Sequence, residues 1–302
     1  EIKSILEYLQ KTPKIDLEAI DLFLTYQYIP SPKTIFGNIK SLPPAHILTC
    51  DKTGNIKTEK YWGLDFTKKT DLSFNDACAH TKKLLTESTK LRMVSDVPLG
   101  AFLSGGVDSS VVVGLMSQLS SQPVKTFSIG FEEADFSELK YAKIVANHFK
   151  TDHHEFIVKP NFIEILPKLV WHYGQPYADS SALPSYFVAN ETRKHVTVAL
   201  NGDGGDETFG GYLRYKAMKG SLYFSFPFQM LGRRLTQKLT TIIPHTETTK
   251  GKNMFRYISR LVSGLSEPPE KRNIQWHCFF SNKAKEGLYT DDTKRSLYND
   301  AY

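Results

Sequence analysis

The sequence predicts an α/β fold in which helices cover both faces of a parallel sheet. Two observations carry this prediction: short apolar strands alternate with helical stretches, and glycine-rich turns follow two of these strands. Alternation of this kind favours parallel strands joined by right-handed crossovers. The predicted strands of the sheet are 98–103, 124–130, 154–158 and 196–200.

Further elements are predicted on either side of the sheet. The pattern indicates a helix over 17–28, a hairpin with strands 47–50 and 56–60, and a long amphipathic helix over 73–93. The C-terminal part, residues 216–302, favours less regular helices interrupted by prolines at Pro227, Pro244, Pro268 and Pro269.

Composition restricts the class of protein. The 302 residues are 40% hydrophobic, which suffices for one large domain or two modest ones, and no apolar run reaches the roughly 20 residues that span a bilayer. The net charge of +6 is dispersed, with small clusters at 68–69, 233–234 and 271–272. This dispersion indicates a solvated basic face, so we expect neither a nucleic acid nor a membrane as partner.

Cellular location is predicted from the N-terminus and the cysteines. Residues 1–10 are amphipathic and show no signal-peptide cleavage pattern. The three cysteines, Cys50, Cys78 and Cys278, lack metal or redox spacing and are expected to be free thiols in a reducing compartment. A cytoplasmic location follows as an expectation.

Residues 104–110, Ser-Gly-Gly-Val-Asp-Ser-Ser, are the most informative segment because they join a predicted strand to the start of an apolar helix. Adjacent glycines let the backbone approach a ligand closely, and N–H groups at a helix start favour an anion. Asp108 is unfavourable beside an anion unless a cation is present, and Mg²⁺ commonly joins carboxylates to phosphates. The segment therefore predicts a nucleoside triphosphate with its metal ion.

The same segment has a plainer interpretation as a helix cap, since serine or aspartate before a helix is ordinary capping chemistry. The complete string between two apolar runs favours a ligand site instead. It is not a Walker A loop, because Gly-Lys-Ser/Thr does not follow the glycines. It also lacks the Gly-x-Gly-x-x-Gly pattern of dinucleotide sites.

Residues 201–212, Asn-Gly-Asp-Gly-Gly-Asp-Glu-Thr-Phe-Gly-Gly-Tyr, follow the last predicted strand and contain five glycines and three carboxylates. A surface turn is the plain alternative, because glycine and aspartate are common turn residues. Ligands bind at the carboxyl ends of parallel strands, so the position favours a mobile, anionic loop of the site. Asp206 is then the second candidate metal ligand.

Both strings resemble those of a known family. Residues 104–110 look like the pyrophosphate-binding loop of the ATP pyrophosphatases, which have an adenine nucleotide alpha hydrolase-like fold. Residues 201–212 resemble the Gly-Glu/Asp-Gly-x-Asp-Glu-x-Phe-Gly-Gly-Tyr motif of asparagine synthetases, which GMP and NAD synthetases lack. Asp203 stands where some members carry the longer glutamate. Further similar segments are 28–36, 42–46, 91–98, 126–131, 141–155 and 175–182.

The resemblance implies roles for single residues. It implies that the backbones of Phe102 and Ile129 hold adenine, and that Mg²⁺ is bound by Asp108 and Asp206, with Glu138 in an outer contact. Either Asp203 or Glu207 would accept the proton of the attacking amine. The remaining ATP contacts that it implies are Asn201 and Gly202 beside adenine and ribose, and Ser104, Gly105, Gly106, Asp108 and Ser109 at the β- and γ-phosphates.

Two other pairs of residues are weaker candidates for the site. Tyr177 and Asp179 are weaker candidates for substrate contact, since tyrosine and aspartate in loops are often turn or cap residues. His153 and His154 resemble a metal pair, but neighbouring strand residues face opposite sides of a sheet. We interpret these histidines as structural.

The reaction implied by the resemblance uses ATP to adenylate the side-chain carboxylate of aspartate. Ammonia, taken from glutamine in the intact enzyme, then gives asparagine, AMP and pyrophosphate. Residues 1–66 are expected to be the linker and the end of a glutaminase half, and 67–302 a C-terminally incomplete synthetase domain. The chain starts at Glu1 without a cysteine nucleophile, so the N-terminal glutaminase domain is expected to be absent. A homodimer is compatible with the resemblance.

Two other functions stay open from the sequence. A related amidotransferase or synthetase could use the same core to close a β-lactam or cyclise a peptide. Alternatively, the chain could bind nucleotide without turnover. The acids that trigger ATP–pyrophosphate exchange would distinguish these alternatives.

Overall fold

The computed structural model describes residues 1–131, 138–159, 162–223, 225, 230, 261–262 and 264–298. Its strands are β1 (His46–Cys50), β2 (Ile56–Lys60), β3 (Leu99–Phe102), β4 (Lys125–Phe131), β5 (Asp152–Val158) and β6 (Val198–Leu200). The helices with defined bounds are α1 (Ile2–Leu9), α2 (Leu17–Tyr26), α3 (Phe74–Arg92), α4 (Val107–Leu119), α5 (Leu139–Phe149), α6 (Phe162–Tyr173), α7 (Ala182–Thr192), α8 (Gly205–Phe209), α9 (Pro269–Trp276), α10 (Asn282–Leu288) and α11 (Asp291–Tyr298), and residues 213–223 are also helical.

The central sheet has four parallel strands in the order β5-β4-β3-β6. Each of the predicted sheet strands is present within two residues of its expected ends, and helices surround the sheet. The predicted α/β fold class is therefore confirmed. The predicted hairpin is also present, with β1 antiparallel to β2 and His46 opposite Lys60.

Alternation along β3 gives the sheet two different faces. Ala101 and the following Leu103 are buried against Val113 and Met116 of α4 and against Ala142 of α5. The opposite face carries the fully buried Phe127 of β4, whose ring stacks on His154 at 5.3 Å between ring centroids. Apolar burial on the α4–α5 face fixes β3 in the middle of the sheet, and the two loops that follow β3 and β6 leave from its carboxyl edge.

Contacts divide the chain into two compact units. The first contains residues 1–4 and 41–206, including the sheet, and the second contains 5–40 and 207–302. The predicted boundary at residue 66 concerns the halves of a longer enzyme and stays a prediction. Among the described residues, no helix has the length and apolar character needed to cross a bilayer.

The second unit is held by buried cations. Lys285 is 3% exposed, and its ammonium donates to Asp21 Oδ2 and Thr25 Oγ1, both at 2.8 Å. The fully buried Arg272 donates to the carbonyls of Gly264 and Glu267 and to Ser221 Oγ. Because each charge has several acceptors, its desolvation is offset by hydrogen bonds.

The C-terminal part is helical where it is described. Pro268 precedes α9 and Pro269 occupies its first turn, which suits a residue that lacks an N–H group. Pro227, Pro244 and the basic pair at 233–234 lie outside the described residues. The three cysteines form no disulfide.

Candidate active site

The first glycine loop, residues 104–109, is closed by hydrogen bonds among its own residues. Gly106 N–H donates to Ser104 Oγ at 3.2 Å, and Ser109 Oγ donates to the Gly106 carbonyl at 3.2 Å. The two serine hydroxyls lie 3.0 Å apart, and Ser104 N–H also donates to Ser109 Oγ. With Ser104 donating to Ser109, these bonds form a ring with one consistent direction, so the loop has a defined shape before a ligand arrives.

Gly105 fixes the first glycine loop against α5. Its φ is +85°, and a Cβ there would lie 2.6 Å from Tyr141 Cβ and closer still to the backbone of Ala142. Both the left-handed backbone and the close packing require glycine. The sequence predicts that the glycines of this loop let the backbone approach a ligand closely, and this geometry is consistent with that prediction.

The start of α4 is open to an anion. Gly106 is its N-cap and provides no side-chain hydrogen bond to the first turn. By contrast, Asp16 caps α2 and Ser73 caps α3 through their side chains. An uncapped N-terminus of a 13-residue helix presents N–H groups and a favourable dipole to a phosphate.

The second glycine loop, residues 201–206, packs against the first. A Cβ on Gly202 would lie 2.6 Å from Ser109 N and 2.7 Å from Asp108 C. A Cβ on Gly205 would lie 2.7 Å from Asp108 Oδ1 and closer to its Cγ. Two glycines thus let the loops that follow β3 and β6 meet at Asp108. This agrees with the expectation that loops after parallel strands lie at the same sheet edge.

The side chains of the second glycine loop bond mainly to near neighbours. Asn201 Nδ2 donates to Asp203 Oδ2 at 2.8 Å, and Asp203 N–H donates back to Asn201 Oδ1 at 3.3 Å. Both residues are exposed, whereas Asp108 and Asp206 are half-buried. A short helix, α8, begins at Gly205 where the sequence predicts only a loop, and its carboxylates suit the first turn of a helix.

A cavity of about 240 Å³ lies at the carboxyl edge of the sheet. It is lined by three residues predicted for ATP, namely Phe102, Ser104 and Ile129, and by Glu138. Ser128 also lines it, but the Ser128 hydroxyl donates to the Leu103 carbonyl and so braces β3 against β4. The cavity walls are mostly apolar, which suits a flat aromatic base.

Sequence reasoning missed one wall of this cavity. Pro184, Ser185 and Val188 of α7 line it, although they lie about 80 residues from the first glycine loop in sequence. Apolar residues occur on all sides of α7, so its sequence does not indicate which side faces a ligand.

Glu207 belongs to the second unit and has a specific partner there. Tyr212 Oη donates to Glu207 Oε1 at 2.6 Å. This hydrogen bond is the main cause that lowers the pKa of the Glu207 carboxyl, with a smaller contribution from the positive charge of Arg214. Glu207 is therefore ionised at neutral pH and able to accept hydrogen bonds.

The weaker candidates line a second cavity. It has a volume of about 510 Å³ and includes Tyr177, Asp179 and Gln175 among apolar residues of α6 and α7. The Tyr177 ring stacks on Tyr173, and burial, followed by the charge of Asp179, raises the pKa of the Tyr177 hydroxyl. Asp179 Oδ1 accepts from Ser181 N–H, which is a turn contact.

The two adjacent histidines contact different neighbours. His153 Nδ1 lies 2.9 Å from Thr126 Oγ1, whereas His154 stacks on Phe127. Burial lowers the pKa of His153. No group of three or more histidine, cysteine or acidic side chains that could hold a metal ion occurs among the described residues.

The comparisons with known proteins agree with the geometry. The asparagine synthase family matches residues 80–300, and the glutamine amidotransferase domain family matches residues 1–62. Glutamine-hydrolysing asparagine synthetase 1 of Bacillus subtilis is 38% identical over 208 residues, or 68% of this chain and 33% of that protein. A putative glutamine-hydrolysing asparagine synthetase of Methanocaldococcus jannaschii is 42% identical over 221 residues, or 71% of this chain and 42% of that protein.

A similar putative enzyme of Mycobacterium bovis is 32% identical over 247 residues, covering 80% of this chain and 37% of that protein. The chain thus spans between a third and about two fifths of the length of these relatives. The matched region contains both glycine loops and every strand of the parallel sheet. The chain belongs to the asparagine synthase family.

Proposed function

We propose that the chain carries the ATP-using part of a glutamine-hydrolysing asparagine synthetase. ATP would adenylate the side-chain carboxylate of aspartate, and ammonia would displace AMP to give asparagine, with pyrophosphate as the other product. Family membership and the names of the relatives support this reaction. The ammonia would come from glutamine through a glutaminase domain, for which the match over residues 1–62 gives partial support.

One observation of the structure carries the proposal: two glycine loops meet at Asp108 with no room for a side chain at Gly202 or Gly205. A carboxylate at this junction would repel the phosphates of ATP unless a cation is bound with them. Mg²⁺ usually takes one or two protein carboxylates and completes its shell with phosphate oxygens and water. Asp108 and Asp206 fit that demand, and the described residues offer no larger cluster of metal ligands.

The proposed roles follow from position. Phe102 and Ile129, which line the 240 Å³ cavity, would hold adenine there. Asn201 and Gly202 are not part of the cavity lining and would lie beside the base and ribose. The phosphates would contact Ser104, Gly105, Gly106 and Ser109 at the uncapped start of α4. Donors fixed before the reaction stabilise charge that develops on the leaving pyrophosphate.

The second step needs a proton acceptor for the attacking amine. Asp203 and Glu207 are the proposed candidates; Glu207 is ionised, as a proton acceptor must be, and its lowered pKa makes it a weaker base than an ordinary glutamate. The cytoplasm is the proposed location, because the reaction consumes ATP and aspartate and the cysteines form no disulfide. A homodimer stays a prediction.

ATP–pyrophosphate exchange on the purified 302-residue chain tests the proposal. We expect exchange with Mg²⁺ and aspartate, and ¹⁵N-labelled asparagine when ¹⁵N-ammonium is added. Glutamate, β-alanine and N-acetyl-aspartate serve as comparison acids. Exchange with another acid alone would reassign the chain to a related amidotransferase, and ATP binding without exchange for any acid would contradict adenylation.

A further inference from the structure

We infer that Arg214 and His277 are positioning residues that hold Tyr212 and, through its hydroxyl, the carboxylate of Glu207. The inference rests on the proposed function in one respect, because it takes Glu207 as a group that acts in amide formation. All four side chains belong to the second unit. Neither Arg214 nor His277 is among the residues that the sequence singles out.

The four side chains form one continuous series of contacts. Tyr212 Oη donates to Glu207 Oε1 at 2.6 Å, and the Arg214 guanidinium lies 4.1 Å from the centroid of the Tyr212 ring. The Arg214 Nη1 atom lies 2.6 Å from His277 Nε2. A hydrogen bond, a cation–π contact and a second hydrogen bond therefore connect His277 to Glu207 across 70 residues of sequence.

The partners of His277 determine which ring nitrogen carries the proton. Its Nδ1 atom lies 2.7 Å from the carbonyl of Asn273, which can only accept, so Nδ1 must donate. A guanidinium can only donate, so Nε2 must be the unprotonated acceptor. Both bonds are satisfied at once only by the neutral Nδ1–H tautomer.

With this tautomer, each side chain from His277 to Glu207 orients the next. The end of α9 supplies Asn273 and His277, and His277 in turn orients the plane of the Arg214 guanidinium. A planar guanidinium stacked on an aromatic ring restricts the ring, and the ring determines where its hydroxyl lies. Without the His277 acceptor, Arg214 is free to leave the ring and Tyr212 loses one of its supports.

The same unit contains a matched control. Tyr289 Oη donates to Asp21 Oδ1 at 2.9 Å, so it forms the same type of tyrosine–carboxylate bond as Tyr212 and Glu207. The partner carboxylate, Asp21, is bound by Lys285 and has no role in the proposed reaction. Tyr289→Phe thus removes an equivalent hydroxyl without touching the series.

The experiment combines NMR at one fixed pH with ammonia-dependent synthesis by the full chain. The ¹⁵N signals of His277 should show the Nδ1–H tautomer, and Arg214→Met should abolish that preference. The ¹³C signal of the Glu207 carboxyl should move in the same direction in Tyr212→Phe and His277→Leu, and stay in place in Tyr289→Phe.

Steady-state kinetics distinguish a loss of positioning from a general loss of stability. Tyr212→Phe and His277→Leu should each lower kcat by about tenfold, the range typical of residues that orient a functional group. The KM for ATP should stay unchanged, and the double variant should lose no more than either single variant. His277→Gln offers an amide oxygen to Arg214 and should recover most of kcat.

Several results would overturn the inference. If the ¹³C signal of the Glu207 carboxyl does not move in His277→Leu, His277 is not connected to Glu207. If kcat falls equally in His277→Gln and His277→Leu, an acceptor for Arg214 at position 277 is unimportant. A loss of kcat in Tyr289→Phe as large as in Tyr212→Phe would indicate a stability effect. Absence of synthesis in the parent chain contradicts the proposed function instead, and the NMR arm still decides the contacts.

Discussion

The two glycine loops of the sheet edge use glycine for different purposes. In the first glycine loop, Gly105 takes a left-handed conformation against α5, and a ring of serine hydrogen bonds closes the backbone. In the second, Gly202 and Gly205 provide close approach to Asp108, and the side-chain bonds link exposed neighbours. The first loop is therefore a template with its own shape, and the second takes its position from contact with the first.

The difference predicts where substitutions act. A change in the first glycine loop should disturb the packing of α5 and hence the stability of the fold. Changes at the junction with the second glycine loop should alter the position of one carboxylate and hence ligand binding.

Gly105→Ala should give the largest effect, a loss of about 3 kcal/mol in the free energy of unfolding. The substitution combines an unfavourable positive φ with a clash against the backbone of α5. Gly54→Ala is the matched control, because Gly54 has nearly the same φ, +87°, and open space around its Cβ position. Urea denaturation should show about 1 kcal/mol for the control. Equal losses in both variants would mean that the contact with α5 is unimportant.

Asp108→Asn should weaken Mg-ATP binding by about 2 kcal/mol, or roughly thirtyfold, which is typical for the loss of one charged contact. The reason is that a neutral amide cannot replace a carboxylate as a ligand of Mg²⁺. Calorimetry with and without Mg²⁺ measures the effect, and Asp96→Asn controls for the loss of an exposed charge in the same unit. Equal affinities of Asp108→Asn and the parent in Mg²⁺ would contradict the metal assignment.

Gly205→Ala should weaken Mg-ATP binding by about 1 kcal/mol and change stability less than Gly105→Ala does. The added Cβ meets the end of the Asp108 side chain, which can rotate, whereas at Gly105 it meets fixed backbone. Calorimetry and urea denaturation of the same variant compare the two effects. A stability loss as large as that of Gly105→Ala would make the junction part of the folding core.

The sequence predicts β3 and β6 well because each is a short apolar run followed closely by a polar, glycine-rich turn. It also predicts that residues 104–109 and 201–206 meet, since parallel strands end at one edge. The contribution of Ser185 and Val188 to the cavity could not be predicted, because α7 is apolar on all sides. The contact of Arg214 with His277 depends on how α9 packs, which no local pattern records.

The smallest expected effect concerns the motion of the second glycine loop. Its glycines carry a high entropic cost of ordering, and the carboxylates of Asp203 and Asp206 repel each other without a cation. Mg-ATP would supply both the missing positive charge and new contacts, so binding should shift the loop towards one conformation. The first glycine loop is already closed by the hydrogen bonds of Ser104 and Ser109, so ligand binding should order it less.

Hydrogen exchange measures this contrast directly. Exchange over residues 201–206 should slow by about threefold when Mg-ATP is added, and by much less with ATP and a chelator. Exchange of the Ser104 and Gly106 amides should be slow beforehand and should change little, because both amides donate hydrogen bonds to serine hydroxyls without ligand. If the second glycine loop is equally protected with and without nucleotide, it is a rigid turn, and Asp206 loses its main argument as a metal ligand. If the Ser104 and Gly106 amides slow by the same factor as residues 201–206, the first loop is not a preformed template, and ligand binding orders the two loops together.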